Sequence, residues 1–235
     1  MADLRGIDAV LFDKDGTLVD YDASWLPINR EAARLAARGD EALAARLLDA
    51  CGTGTDGRTR PGSLFAAGNA SEIAAHMVKL DAPFEADALR RVLDDLFERG
   101  AAQAVPICNL APVLDALRVP LGLATSDGEA SARVTLDALA ITDRFSFVAG
   151  YDSGHGAKPG PGMVHAFARA TEAERIAVVG DNTHDMEMAR AAGAIAIGVL
   201  SGTGTRRELE PLADLVLGSV ADLPAIVRRA AARTR

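Results

Sequence analysis

The hydrophobic positions of this chain show two different patterns. Short apolar runs that end in polar turns occur near the start and throughout the second half, where they alternate with stretches of helical spacing. This alternation is typical of βαβ units and therefore predicts an α/β fold with a parallel sheet. The predicted strands are Ile7 to Phe12, Leu121 to Ala124, Phe145 to Val148, Ile176 to Val179, Ala194 to Val199 and Leu215 to Leu217.

The stretch between the first two predicted strands is rich in Ala, Leu, Arg and Glu and has only helical spacing. It predicts four helices, two of them between Ser24 and Ala50 with a break at Gly39-Asp40. The other two cover approximately Asn69 to Leu80 and Phe84 to Arg99.

The chain is therefore expected to fold as a discontinuous α/β core with an inserted helical cap. Residues 1–18 and 105–235 would form the core, and residues 19–104 would form the cap over its edge. The hinges would lie near Val19-Asp20 and Gln103-Ala104.

Composition narrows the classes of partner. Of the 235 residues, 49% are hydrophobic and 25% are charged, which is typical of a soluble globular protein. A formal net charge of −8 argues against broad binding to the nucleic-acid backbone, and 4% aromatic residues argue against base-stacking platforms.

Apolar runs fall short of the ~20 residues of a membrane helix, and we see no secretory signal. We therefore expect a cytoplasmic protein.

The two cysteines, Cys51 and Cys108, are far apart and have no metal-ligand spacing. We interpret both as buried, small apolar residues rather than as a disulfide or a metal site.

Two aspartates follow the first predicted strand directly. Asp13 and Asp15 are two residues apart, so on an extended segment both carboxylates can face one site, and Gly16 permits a sharp turn after them. Open α/β sheets bind ligands at this end of their strands. The alternative is an Asx-type turn that simply closes the strand.

The strand predicted at 121–124 also runs into a polar turn, Thr125-Ser126-Asp127. A hydroxyl at this junction, with the amides of the next helix, can hold a phosphate oxygen. Helix capping by Ser126 or Asp127 explains the same residues.

Lys158 follows a Gly-rich loop and precedes Pro161, which is suited to open a helix. Alone it would be a solvated surface charge. A site that combines several carboxylates with an anionic substrate, however, needs a cation.

A second acidic strand end follows the strand at 176–179. Asp181 and Asp185 can project toward the same opening as Asp13 and offer the hard oxygen ligands that Mg²⁺ prefers. Alternatively, Asp185 complements the helix dipole, and Asn182 or Thr183 is an N-cap.

The four segments DKDGT, LATS, KPGP and GDNTHD resemble, in order and spacing, the four motifs of the haloacid dehalogenase superfamily. Residues 19–104 resemble the helical cap of its phosphoglycolate phosphatase-like branch only in position and helical character. The resemblance implies a Rossmann-like core, dependence on Mg²⁺ and a small phosphorylated metabolite as substrate.

The resemblance also implies roles for individual residues. Asp13 corresponds to the nucleophile that forms an aspartyl-phosphate, and Asp15 corresponds to the acid that protonates the leaving oxygen and then activates water. Thr125 corresponds to the hydroxyl residue of the second motif and Lys158 to the charge-neutralising lysine. The metal ligands would be Asp13, the backbone carbonyl of Asp15, Asp181 and Asp185.

Lys14 departs from the commonest form of the first motif, in which an apolar residue separates the two aspartates. Two interpretations stay open. Its ammonium either points away from the site or favours a substrate with extra negative charge.

The favoured function is therefore hydrolysis of a small phosphate monoester, and the resemblance alone suggests 2-phosphoglycolate. Arg58 and Arg60 are the first cap residues to test as ligands of a substrate carboxylate, although a solvated surface position is the favoured interpretation of either one. The alternatives are a sugar-phosphate mutase and a non-catalytic phospho-ligand sensor. We interpret Trp25 as a packing anchor, and His155 and His184 as loop-packing or helix-capping residues. The oligomeric state cannot be inferred from these patterns.

Overall fold

A six-stranded parallel sheet forms the centre of the fold. The computed structural model describes residues 4, 6–54 and 56–232. The strands are β1 (Ala9–Phe12), β2 (Leu121–Ala124), β3 (Phe147–Ala149), β4 (Ile176–Gly180), β5 (Ile195–Val199) and β6 (Leu215–Leu217). Their order is β3-β2-β1-β4-β5-β6, and every neighbouring pair is parallel. The predicted α/β fold with a parallel sheet is confirmed.

Helices connect the strands and fill the stretch between β1 and β2. The helices of the described residues are α1 (Tyr21–Ala36), α2 (Glu41–Cys51), α3 (Leu64–Ala67), α4 (Ala70–Lys79), α5 (Ala86–Ala101), α6 (Leu110–Asp115), α7 (Glu129–Ala138), α8 (Gly162–Thr171), α9 (Thr183–Ala192), α10 (Arg206–Leu209) and α11 (Leu223–Ala232). Short 3₁₀ turns occur at Thr142–Arg144 and Val220–Asp222. None of the helices in this part of the chain is long and apolar enough to cross a membrane.

The sheet is buried on both faces because successive side chains of β1 enter different hydrophobic clusters. Val10 and Phe12 belong to a cluster that also contains residues of α6, α7 and α11. Ala9 and Leu11 belong to a second cluster with residues of α8 and α9. All four β1 residues have no exposed surface. Burial on both faces explains why β1 is a continuous apolar run rather than an alternating one.

Helices α1 to α5, which we call the helical block, enclose a third hydrophobic cluster. Its fully buried members include Leu47, Met77, Leu89 and Leu93. The chain enters and leaves the block side by side, because the Asp20 amide donates to the Val105 carbonyl at 2.8 Å. The block therefore has a core of its own and begins and ends at adjacent points.

The elements differ from the sequence prediction in several places. β1 begins at Ala9 rather than Ile7, and β3 is shifted toward Ala149. The short helices α3 and α6 were not predicted, because four and six residues are too few for a periodic pattern. Cys51 is fully buried as predicted, but Cys108 is only partly buried, and both are free thiols.

Gly122 in β2 leaves the space that the ring of Phe167 fills. A Cβ at this position would lie 2.7 Å from Phe167 Cε2 and 2.9 Å from Leu11 Cδ1. We expect Gly122→Ala to lower the free energy of unfolding by about 1–3 kcal/mol through overpacking. Urea unfolding measures this, with Gly198→Ala in β5 as the matched control because its nearest contact would be 3.3 Å. Equal losses for both variants would contradict the packing explanation.

Candidate active site

The candidate catalytic residues lie at the carboxyl ends of three neighbouring strands. β1 lies between β2 and β4, so Asp13, Thr125 and Asp181 stand side by side at one edge of the sheet. The Asp13 amide donates to the Val179 carbonyl at 2.8 Å, which continues the ladder and fixes its position beside β4. The sequence changes from strand to polar loop at this edge, where open α/β sheets bind ligands.

Gly16 brings the loop after β1 against the loop after β4. Its φ is +80°, and a Cβ there would lie 2.5 Å from Asp181 Oδ2. A side chain would therefore be strained and would also collide with the site. Ser201 Oγ donates to the Gly16 carbonyl at 2.8 Å and holds this close approach in place.

Three buried carboxylates lie close together, and Lys158 pairs with two of them. One oxygen each of Asp13, Asp181 and Asp185 lies within 4.8 Å of the others. Lys158 Nζ, itself 9% exposed, lies 2.6 Å from Asp13 Oδ1 and 2.6 Å from Asp185 Oδ1. Three carboxylates and one ammonium leave an excess of negative charge that a divalent cation can offset.

Burial and the repulsion of neighbouring carboxylates disfavour the charged forms of Asp13 and Asp181. Burial, with the repulsion of Asp185 and Asp15, raises the pKa of Asp13 to about 7, although Lys158 acts in the opposite direction. Burial also raises the pKa of Asp181, and the Thr203 amide only partly offsets this by donating to its Oδ2 at 2.7 Å. Hard oxygen ligands in a buried cluster with excess negative charge fit a hard divalent cation.

Asp185 has two structural partners at once. Its Oδ2 accepts from the Asn182 amide at 3.1 Å in a capping box at the start of α9, while its Oδ1 accepts from Lys158. Asn182 is the N-cap of α9. Asn182 and Asp185 therefore cap α9 and also line the candidate site.

Thr125 lines the same cavity as Asp13 and is 1% exposed. Its Oγ1 accepts from the Asp127 amide at 3.1 Å. The capping of α7 by Ser126 or Asp127 is wrong, because Gly128 is the N-cap and the first amide of the helix, that of Glu129, donates to Asp152 Oδ1 at 2.9 Å. The Asp127 carboxylate instead pairs with Lys14.

Asp15 does not join the carboxylate cluster but lies with Lys14 and Trp25. Lys14 Nζ is 2.9 Å from Asp15 Oδ2 and 3.1 Å from Asp127 Oδ2, and it lies 4.7 Å from the ring centroid of Trp25. Trp25 Nε1 in turn donates to Asp15 Oδ1. Lys14 is 1% exposed and is not a lining residue of the cavity, so its ammonium is directed at Asp15 and Asp127 rather than at solvent or substrate.

Sequence patterns missed three of these contacts. Trp25 was interpreted as a packing anchor; it does pack edge-on against Phe97, but its indole also holds Asp15. Nothing in the sequence indicates that Thr203 donates to Asp181. Asp127 could have been noticed, because a lysine placed between two aspartates needs further carboxylates if it is buried.

Two arginines and two histidines were also considered in the sequence, and their surroundings differ. Arg58 and Arg60 line a second cavity with Ser201 and Thr203, and Arg60 pairs with Asp49 at 2.8 Å. His155 stacks on Phe147. His184 lines the cavity with Asp13, and its Nδ1 is buried without a protein hydrogen-bond partner in the described part of the chain.

The geometry agrees with comparisons to known proteins. The sequence model of the haloacid dehalogenase-like hydrolases matches residues 7–193. The chain belongs to this family. It is 28% identical to a phosphoglycolate phosphatase of Shigella boydii over 237 residues, which covers 94% of this chain and 91% of that protein.

Solved structures of other proteins have the same fold as this haloacid dehalogenase-like hydrolase. A hydrolase from Pseudomonas syringae has a TM-score of 0.68 at 24% identity and covers 95% of this chain and 99% of its own. CbbY from Rhodobacter sphaeroides, solved in complex with phosphate, has a TM-score of 0.68 at 20% identity, with 92% and 96% covered.

The raised pKa of Asp13 predicts how the metal-free protein responds to pH. The folded protein keeps a proton on Asp13 up to about pH 7. In the unfolded chain the pKa of Asp13 has its ordinary value of 3.8, so the proton is released at lower pH. Stability should therefore fall as the pH rises from about 4 to about 7. Thermal unfolding in EDTA should give a lower Tm at pH 7.5 than at pH 5.5.

Addition of Mg²⁺ at pH 7.5 should raise that Tm, because an ion bound only by the folded state stabilises it. Asp13→Asn is the control, since it removes one titrating carboxylate and should weaken both effects. A Tm that responds neither to pH in this range nor to Mg²⁺ would contradict the electrostatic description of the cluster.

Lys14→Met should destabilise the fold, because it leaves Asp15 and Asp127 without their shared cation. Removing one partner of a buried ion pair costs about 3–5 kcal/mol, and we expect the lower end because Asp15 is 18% exposed. Urea unfolding measures the change. Lys79→Met, at an exposed helix end, is the matched control and should cost less than about 0.5 kcal/mol. Similar stability of the two variants would refute the buried pairing.

Proposed function

We propose that this protein is a Mg²⁺-dependent phosphoric monoester hydrolase that acts through an aspartyl-phosphate on Asp13. The observation that carries the proposal is the buried cluster of Asp13, Asp181 and Asp185 with Lys158 at one strand edge. Membership of a hydrolase family and similarity to phosphoglycolate phosphatases support it. 2-Phosphoglycolate is one member of the proposed substrate class.

Asp13 is the proposed nucleophile because its carboxylate lines the cavity directly after β1. An anionic carboxylate can approach a phosphoryl group only where positive charge offsets the repulsion. Lys158 supplies one such charge at 2.6 Å. Mg²⁺, held by Asp13, Asp181, Asp185 and the Asp15 carbonyl, would supply the remaining charge and withdraw electron density from the phosphoryl oxygens.

Asp15 is the proposed acid and base. It lines the same cavity, and burial raises its pKa despite the opposing effect of Lys14, so a proton is more easily held there. It would protonate the leaving alcohol oxygen as Asp13 attacks phosphorus. It would then take a proton from the water that attacks the aspartyl-phosphate, which releases phosphate and restores Asp13.

Thr125 is the proposed phosphate ligand. Its Oγ1 accepts from the Asp127 amide, so its own hydroxyl hydrogen is directed elsewhere and is available to a phosphoryl oxygen. Helices α1 to α5 are the proposed cap, residues 19–104, which covers the cavity and contributes one of its walls. Exclusion of water by such a wall strengthens the electrostatic interactions beneath it.

Hydrolysis of 4-nitrophenyl phosphate tests the proposal. Activity should require Mg²⁺, stop with EDTA and fall by roughly 10³-fold or more in Asp13→Asn, because the nucleophile is removed. Asp81→Asn is the matched control, since Asp81 is exposed, does not line the cavity and forms an ion pair with Arg46. Full activity of Asp13→Asn would contradict the proposed nucleophile.

Rapid acid quenching followed by mass spectrometry should find a phosphoryl group on the peptide that contains Asp13. Product analysis separates the alternatives that the sequence left open. Free phosphate indicates a hydrolase, an isomerised sugar phosphate indicates a mutase, and tight binding without turnover indicates a sensor.

A further inference from the structure

The cavity has two chemically different sides. The core side carries five aspartates, one lysine and one histidine, namely Asp13, Asp15, Asp127, Asp181, Asp185, Lys158 and His184. The side formed by the helical block is mostly apolar, with Trp25, Phe65, Ile73 and Phe97 and small residues at positions 66–68 and 70. Among the described residues, no lysine, arginine or histidine belongs to this apolar wall.

This distribution of charge disfavours a second anionic group on the substrate. The phosphate would use the positive charge of Lys158 and the metal ion. A carboxylate directed toward the helical block would then lie against aromatic and aliphatic side chains, where an unpaired charge is costly to desolvate. Arg58 and Arg60 do not relieve this, because they line the separate cavity with Ser201 and Thr203.

The apolar wall contains two polar side chains, Tyr21 and Asn29, which lie with Trp25 on one face of α1. Tyr21, Trp25 and Asn29 are spaced four residues apart, so they line the cavity together. The Tyr21 hydroxyl donates to the Phe65 carbonyl, and Asn29 Nδ2 lies 3.3 Å from the Tyr21 oxygen.

These two hydrogen bonds fix the orientation of the Asn29 amide. Tyr21 has one hydroxyl hydrogen, which goes to Phe65, so its oxygen can only accept from Asn29. The amide nitrogen must therefore face Tyr21, and the oxygen Oδ1 faces away from it. Asn29 is 1% exposed, and none of the described hydrogen bonds ends on Oδ1. The acceptor capacity of Oδ1 is therefore not used by the protein, and a molecule in the cavity that Asn29 lines can supply the donor.

We propose that the alcohol esterified to phosphate in the substrate is uncharged, packs against the apolar wall and donates a hydroxyl hydrogen bond to Asn29 Oδ1. This inference rests on the proposed phosphatase function and narrows its substrate class. A carboxylate cannot replace the hydroxyl, because it has no hydrogen to donate and would place a negative charge beside a carbonyl oxygen.

Three esters of nearly equal size test the proposal. They are 2-hydroxyethyl phosphate, 2-phosphoglycolate and propyl phosphate. The first and the last carry a hydroxyl and a methyl group on the second carbon, and in 2-phosphoglycolate the second carbon is the carboxylate carbon, so that a carboxylate oxygen takes the place of the hydroxyl. For the wild-type protein with Mg²⁺, we expect kcat/KM for 2-hydroxyethyl phosphate to exceed that for 2-phosphoglycolate by about tenfold or more, mainly through KM. Equal or better hydrolysis of 2-phosphoglycolate would overturn the proposal.

Asn29→Leu tests the role of the amide oxygen with a side chain of similar size. The preference for 2-hydroxyethyl over propyl phosphate should shrink about tenfold, because only the first ester uses the acceptor. A general structural defect would lower both rates together and leave their ratio unchanged. An unchanged ratio would therefore refute the role of Asn29.

Failure of this proposal differs from failure of the proposed function. If neither these esters nor 4-nitrophenyl phosphate is hydrolysed with Mg²⁺, the phosphatase assignment is wrong. If only the aryl ester is hydrolysed, the three esters are compared as competitive inhibitors of that reaction. Weaker inhibition by 2-hydroxyethyl phosphate than by 2-phosphoglycolate would then overturn the substrate inference.

Discussion

The repulsion between buried carboxylates is the constraint on which this structure depends. Asp13, Asp181 and Asp185 lie close together with little exposed surface, and Lys158 is the cation within hydrogen-bond distance of two of them. Taken out of water, such a cluster is unstable unless positive charge is near. The same excess of negative charge that opposes folding makes the cluster suitable for a divalent ion and for phosphoryl transfer.

The parallel sheet makes this concentration of charge possible. β1 is flanked by β2 and β4, so three loops distant in sequence emerge beside each other, and the apolar strands beneath are buried on both faces. The rigid strands hold Asp13 and Asp181 in place, and the close approach at Gly16 joins their loops. Residues that repel each other are thus held together by packing that lies outside the site.

Much of this arrangement could be predicted, because it follows from chain direction and strand order. Apolar runs indicate strands, and polar residues at their ends mark one edge of a parallel sheet. That logic, with the resemblance to a known family, brought Asp13, Thr125, Lys158, Asp181 and Asp185 into one hypothesis. What could not be predicted depends on helix packing. The contacts of Trp25 with Asp15 and of Tyr21 with Phe65 arise only when α1 is docked, and its helical spacing does not reveal which face meets the carboxylates.

The orientation of the Asp185 carboxylate is fixed in part by regular secondary structure. Its two oxygens are assigned to different partners, one to the first turn of α9 and the other to Lys158. The carboxylate plane therefore cannot rotate without breaking a helix cap, and its lost rotational freedom is already accounted for when the helix forms. The alignment of this acid is consequently inherited from folding itself, and no separate ordering step is needed when a substrate arrives.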